Sequence, residues 1–277
     1  MDAWKQELND WVRAFSGAYI FGIPLLFTME MWWIGEYASI SMLLAFVVVA
    51  LVANVALSYV AGFKRESTFS STLDEALDAV AVGIVGAVIV LLALNQIHPS
   101  GPIQSSLGKI LLQAVPLSIG ASVANQIFGT NGEKTRSGDG DAPDPTMKPG
   151  QALASDVGAT IIGGIFIGFS IAPTDEVPML AAALDYPHLI GIIAFSLIAS
   201  YFIVFASGFD EPAPEGLFQH PLTESLLAYL VSLIVSFAIL FLFGQVALDD
   251  PLMFTLEQTL VLGVPATIGG AAGRLVI

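Results

Sequence analysis

Apolar positions in this chain run in long blocks, separated by short polar or glycine- and proline-rich breaks. Eight such blocks can be read. The first four are Trp11–Ile34, Ser39–Phe63, Leu73–Ile97 and Ser106–Phe128. The next four are Gln151–Pro173, Leu180–Phe209, Leu217–Val246 and Met253–Ile277. Each is near or above the ~20 residues that a helix needs to cross a bilayer. A membrane β-barrel would instead show alternating segments of about ten residues. The pattern therefore predicts an all-α polytopic membrane protein of about eight transmembrane helices. The sixth and seventh blocks are long enough to tilt or to begin outside the bilayer.

The blocks repeat. Ala114-Val115-Pro116-Leu117-Ser118-Ile119-Gly120 returns 149 residues later as Gly263-Val264-Pro265-Ala266-Thr267-Ile268-Gly269. At the same offset Leu73, Glu75, Leu77 and Ala79 meet Leu222, Glu224, Leu226 and Ala228. At an offset of 146, Asp10 meets Asp156, Gly22 meets Gly168, and Gly62-Phe63 meets Gly208-Phe209. Thr28-Met29-Glu30 then meets Thr174-Asp175-Glu176. This predicts a four-helix membrane repeat over 1–128, an acidic flexible cytoplasmic linker over 129–149 and a second four-helix repeat over 150–277. Four spans return the chain to its starting side. The repeats are thus expected to be parallel, about a pseudo-twofold axis along the membrane normal.

Charge orients this picture. Only 12% of residues are charged, half the roughly 25% of soluble domains, and mean hydropathy is +0.79. With the N-terminus inside, Lys5, Arg13, Lys64, Arg65, Lys134, Arg136, Lys148 and Arg274 all fall on the cytoplasmic side. Only Lys109 falls outside. This positive-inside pattern places both termini in the cytoplasm of a multi-pass plasma-membrane protein. The acidic N-terminus (Asp2, Glu7, Asp10) does not read as a cleavable signal. Net charge is −15. Such an excess of acid suits exposed loops of halophilic type, as in proteins from salt-rich cells. It disfavours nucleic acid, which needs basic patches. The absence of cysteine excludes disulfides, thiol nucleophiles and cysteine-held metals.

Candidate chemistry lies where polar groups enter the blocks. Pro116 and Pro265 each remove a helix hydrogen bond, so kinks are expected there, with Ser118 and Thr267 two residues on; ordinary kinking with tight packing is the alternative. Glu30, just before Trp32 and Trp33 at the expected interface, pairs by repeat with Asp175 and Glu176. With Thr28 and Thr174 they form an expected outer ring that attracts cations; acids that simply face water are the alternative. Thr72 and Glu75 read as a helix-capping box. Asp78, one turn deeper, is a candidate inner cation or proton site. Asn54, Asn95, Gln113, Asn125 and Gln126 suit interhelical hydrogen bonds, with Gln113 notable for its place near a proline. Asp139, Asp141 and Asp144 lack the full ligand set of an EF-hand and read as a solvated acidic loop. His98, His188 and His220 have no metal-ligand spacing, and no metalloprotease, serine-hydrolase, P-loop or dinucleotide motif is present. No cofactor is implied. A lipid-modifying enzyme would have to use Asp74, Asp78 or Asp156, with no evident nucleophile.

The run Phe21-Gly22-Ile23-Pro24-Leu25-Leu26-Phe27-Thr28-Met29-Glu30-Met31-Trp32-Trp33, with Leu111-Leu112-Gln113-Ala114-Val115-Pro116, resembles an uncharacterised family of integral membrane proteins, domain of unknown function 2391. The resemblance extends over most of the chain. It implies several membrane spans and no particular activity or catalytic residue. The residues themselves favour a small-cation channel or transporter, lined by the proline-bearing spans with acids at the outer mouth. The alternative is a non-transporting scaffold or partner subunit. In either case the bilayer is a partner and a homo-oligomer is expected.

Overall fold

The computed structural model describes residues 3–61, 69–134, 149–206 and 221–275. Among them there are helices and no strands. The chain divides into two compact units, Met1–Asn131 and Gly132–Ile277.

The first unit comprises α1 (Ala3–Leu26), α2 (Met29–Tyr37), α3 (Ile40–Ala61), α4 (Phe69–Ala93) and α5 (Ile103–Lys134). The last turn of α5 crosses the unit boundary and covers the start of the expected linker; residues 135–148 lie outside the described residues. The second unit comprises α6 (Pro149–Ile171), α7 (Glu176–Ala183), α8 (Tyr186–Tyr201), α9 (Pro221–Leu242) and α10 (Leu252–Arg274). A π-helical turn, Phe202–Ala206, extends α8. Each unit thus has the same order: a long helix, a short one, then three long ones.

Among the described residues six helices are long and apolar enough to cross a membrane, or up to eight spans if each bent pair counts as one. The bent pairs are α1 with α2, turning through 87°, and α6 with α7, turning through 90°. These breaks correct the expected spans one and six. The first span ends at Leu26 rather than Ile34, and Leu180–Ala183 belongs to α7 rather than to the following long helix. The prolines do not interrupt their helices: α5 runs continuously through Pro116 and α10 through Pro265. Membrane helices tolerate proline where nearby hydroxyls and packing satisfy the backbone. Ser118 Oγ donates to Val115 O (2.8 Å) and Thr267 Oγ1 to Gly263 O (2.6 Å) in those turns.

Small residues set the helix crossings. In the first unit Gly17 of α1 meets Gly120 and Ala124 of α5; a methyl group at Gly120 would lie 2.7 Å from Gly17 O. In the second, Gly163 of α6 meets Gly269 and Gly273 of α10, and a methyl at Gly269 would lie 2.5 Å from Gly163 O. Backbones approach this closely only where side chains are absent, as in small-xxx-small membrane packing. In both units the partners run antiparallel. α10 is the centre of its unit, packed by α6, α7, α8 and α9, and buried on every side from Val261 to Ala271.

The ends of α4 and α9 also match. Asn95 (φ 56°) and Gly244 (φ 70°) adopt the left-handed conformation. Gln96 N donates to Leu91 O (2.8 Å) and Gln245 N to Leu240 O (2.9 Å). This is the six-to-one bond of a Schellman cap. Asn95 therefore terminates α4. Thr72 lies inside α4, which already includes Phe69, so it does not cap that helix.

Candidate functional site

The sites with chemical potential are the two helix breaks. In the first unit, Thr28 opens the break. Its N–H reaches back to Leu25 O (3.2 Å), and its hydroxyl donates to Pro24 O (3.2 Å). A threonine hydroxyl offers the backbone this local alternative to the helix bond. Ile23 O accepts from Phe27 N (3.3 Å). Gln113 Nε2, from α5, donates to Leu25 O (3.3 Å), and Trp32 Nε1 to Leu26 O (3.0 Å). A helix leaves its last four carbonyls without intrahelical partners. Here all four are taken by protein donors. Trp32 is buried and Trp33 is exposed. The Trp32 indole is a cap for α1. Glu30, in the first turn of α2, is exposed.

In the second unit Thr174 performs the same service: both its N–H (3.1 Å) and its hydroxyl (2.6 Å) donate to Ile171 O. The repeated Thr-x-Glu pattern is thus explained first as capping chemistry. The acids that follow are not equivalent. Asp175 is exposed, whereas Glu176 in the first turn of α7 is buried. The contacts of Gly163 with Gly269 and of Ala159 O with Gly273 fix the α6–α10 register. Continued outward by one turn at a time, that register brings Gln258 to the level of Thr174. Gln258 is fully buried, and neither Nε2 nor Oε1 has a hydrogen-bond partner among the described residues. A buried unsatisfied polar group costs about 1–3 kcal/mol, so Gln258 marks a position whose polarity the folded chain does not use. In the first unit Gln113 Oε1 is likewise without a partner.

Two ion-pair clusters were missed by sequence reasoning. Lys109 Nζ lies 3.3 Å from Glu36 Oε2 of α2 and donates to Gln96 O at 3.3 Å. In the second unit Arg274, in the last turn of α10, pairs with Glu224 of α9 and lies 3.6 Å from Asp156 Oδ2 of α6. Its guanidinium also sits 5.7 Å from the centre of the Phe205 ring in the π-helical turn. One buried arginine therefore joins α6, α9, α10 and the end of α8. The signal was present: Asp156 and Glu224 both repeat earlier acids, and a charge on an apolar helix needs a partner.

The remaining candidates are not at the breaks. Ser118 is buried in a network in which Asn54 Nδ2 donates to Ser118 Oγ (2.9 Å) and Ser122 Oγ donates to Asn54 Oδ1 (2.7 Å). Asn54 Nδ2 also reaches Ala50 O (2.8 Å), so the amide is fully satisfied. Pro265 and Thr267 are buried in α10, and Pro116 is half-buried in α5. Asp78 is exposed on α4 beside Asp74 and Glu75. The side chains of Asn125 and Gln126, and the acidic linker cluster, lie outside the described residues. Among the described residues no group of three or more histidine or acidic side chains is placed to hold a metal ion.

The model of a family described as "Putative integral membrane protein (DUF2391)" matches residues 10–277. No curated protein and no solved structure matches the chain.

Proposed function

The chain belongs to this family of integral membrane proteins, and from that premise we propose that it is a channel or transporter for a small cation. The observation that carries the reading is the pair of right-angle helix breaks, 87° and 90°, at matching places in the two units. Discontinuous helices in corresponding positions of two halves are a recurrent way to build an ion or substrate site inside a bilayer. The reading takes the units as copies of one four-crossing repeat. α2 and α7 then lie across the outer ends of their units, with Glu30, Asp175 and Glu176 at that level. The termini are cytoplasmic, in keeping with the distribution of Lys and Arg.

The geometry shifts the weight among the acids. Glu30 and Asp175 are exposed and serve to concentrate cations at the mouth. Glu176 is buried beside a break and is the acid a bound cation would engage. The prolines of α5 and α10 support packing rather than lining.

The test is cation flux into liposomes containing the purified full chain. Glu176→Gln is expected to lower flux at least about tenfold, a change of ~1.4 kcal/mol. Glu30→Gln should lower it less, and mainly at low salt, where surface charge is unscreened. Flux indistinguishable from empty liposomes, for every alkali cation and ammonium, would overturn the proposal.

A second reading, a non-transporting scaffold, draws on α3. Only 17% of Ile40–Leu57 is buried, leaving Leu44, Val48 and Val52 outward. Such a face suits lipid or a second copy of the chain. Absence of flux together with stable co-purification of another membrane protein would favour it.

A further inference from the structure

We infer that the second unit holds one monovalent cation of ammonium size at the α6–α7 break, and that the first unit carries the equivalent charge permanently, as the Lys109 ammonium. The inference rests on the cation reading above and names where the ion sits and what it resembles.

The argument begins with position. Lys109 and Gln258 each stand seven residues before the proline of their helix, Pro116 and Pro265. They are the same place in the two units. In the first, a primary ammonium occupies the surroundings, 3.3 Å from Glu36 Oε2 and 3.3 Å from Gln96 O. An ammonium offers three donors and a compact charge, and here a carboxylate and a carbonyl receive it.

The second unit rebuilds part of that receptor. Gln96 and Gln245 each follow the left-handed residue of an identical helix cap, so the same turn presents both carbonyls. The carboxylate comes from a different residue. Position 182, which corresponds to Glu36, is Ala182. Glu176 is instead buried in the first turn of α7, which packs on α10. The lysine is replaced by Gln258, whose neutral amide supplies no charge and makes no hydrogen bond among the described residues.

Buried polar groups are ordinarily satisfied. The unused amide oxygen of Gln258, a buried carboxylate in the first turn of the helix packed on α10, and a turn whose counterpart binds an ammonium in the other unit share one complement: a free monovalent cation. Ammonium and potassium both meet that description, and the experiment separates them.

The experiment measures thermal unfolding of the full chain in lipid nanodiscs, titrated with ammonium, methylammonium, potassium or sodium chloride. N-methylglucamine chloride, too large to enter, controls for ionic strength. The wild type should show a saturable rise in midpoint with one of the smaller cations. Gln258→Lys supplies the charge covalently. Its midpoint without added cation should rise, and its response should fall at least about tenfold in apparent affinity. Gln258→Leu, which keeps the volume and removes the polarity, should also lose the response while remaining folded. Lys109→Gln should add a second saturable response.

A wild type that responds no differently from the N-methylglucamine control overturns the inference. So does a Gln258→Lys or Gln258→Leu protein that titrates like wild type; if the lysine variant does not fold, the leucine variant decides. Flux separates this outcome from failure of the broader reading. Binding without flux keeps the site and removes transport. Flux from a wild type that shows no saturable thermal response keeps transport and removes this site.

Discussion

The breaks after α1 and α6 are the same backbone event resolved in two ways. After α1, Thr28, Gln113 and Trp32 occupy the freed carbonyls. After α6, Thr174 caps in the same manner, but the residue corresponding to Trp32 is Pro178, which has no donor. The glutamine at that level, Gln258, is left without partners. The opposite ends differ in the other direction. The second unit is tied by the buried Arg274 with Glu224 and Asp156, whereas position 125, corresponding to Arg274, is Asn. The two units thus tie matching places in their helices with different bonds.

This comparison can be broken by unfolding measurements in mixed micelles. The largest effect is expected for Arg274→Ala, which strands the half-buried Glu224 carboxylate; removing one partner of a fully buried pair costs about 3–5 kcal/mol, which sets the upper bound here. An effect below about 1 kcal/mol would mean that the second unit does not depend on the pair. Next comes Trp32→Phe, which keeps most of the ring and removes the bond to Leu26 O. A loss of about 1 kcal/mol is expected, and a neutral result would deny the indole its capping role. Thr28→Val and Thr174→Val should each cost about 0.6 kcal/mol, the average for a membrane hydrogen bond. A large difference between them would contradict their shared role. The smallest effect is Asn95→Gly, expected to stabilise by a few tenths of a kcal/mol, because glycine meets no penalty at positive φ. A loss on this substitution would show that the Asn95 side chain does more than tolerate the turn.

The long helices were legible because hydropathy reports directly on bilayer-crossing segments. The breaks were not, and the reason is physical. Prolines advertise a missing hydrogen bond, yet Pro116 and Pro265 sit where packing and nearby hydroxyls keep the helix whole. Thr28 and Thr174 look harmless in sequence, but their hydroxyls take over the carbonyl bonds at the end of the preceding helix. Thr-x-Glu was visible as a repeat; that threonine served structure, and that only Glu176 became buried, depended on the packing of α7. The Arg274 cluster joins residues from three helices, and no local pattern reports such a meeting. Gln258 stands seven residues before Pro265 in the sequence, but its side chain's lack of partners among the described residues exists only once α10 is surrounded.

The central place of α10 has a consequence for biosynthesis. It follows in sequence every helix it packs against, so α6, α7, α8 and α9 leave the ribosome before their common partner. Until α10 arrives, Asp156 and Glu224 have no arginine, and the close-packing face around Gly163 has nothing to meet. The second unit is therefore expected to remain open to the insertion machinery and its quality control until synthesis has passed Arg274, closing in one late step.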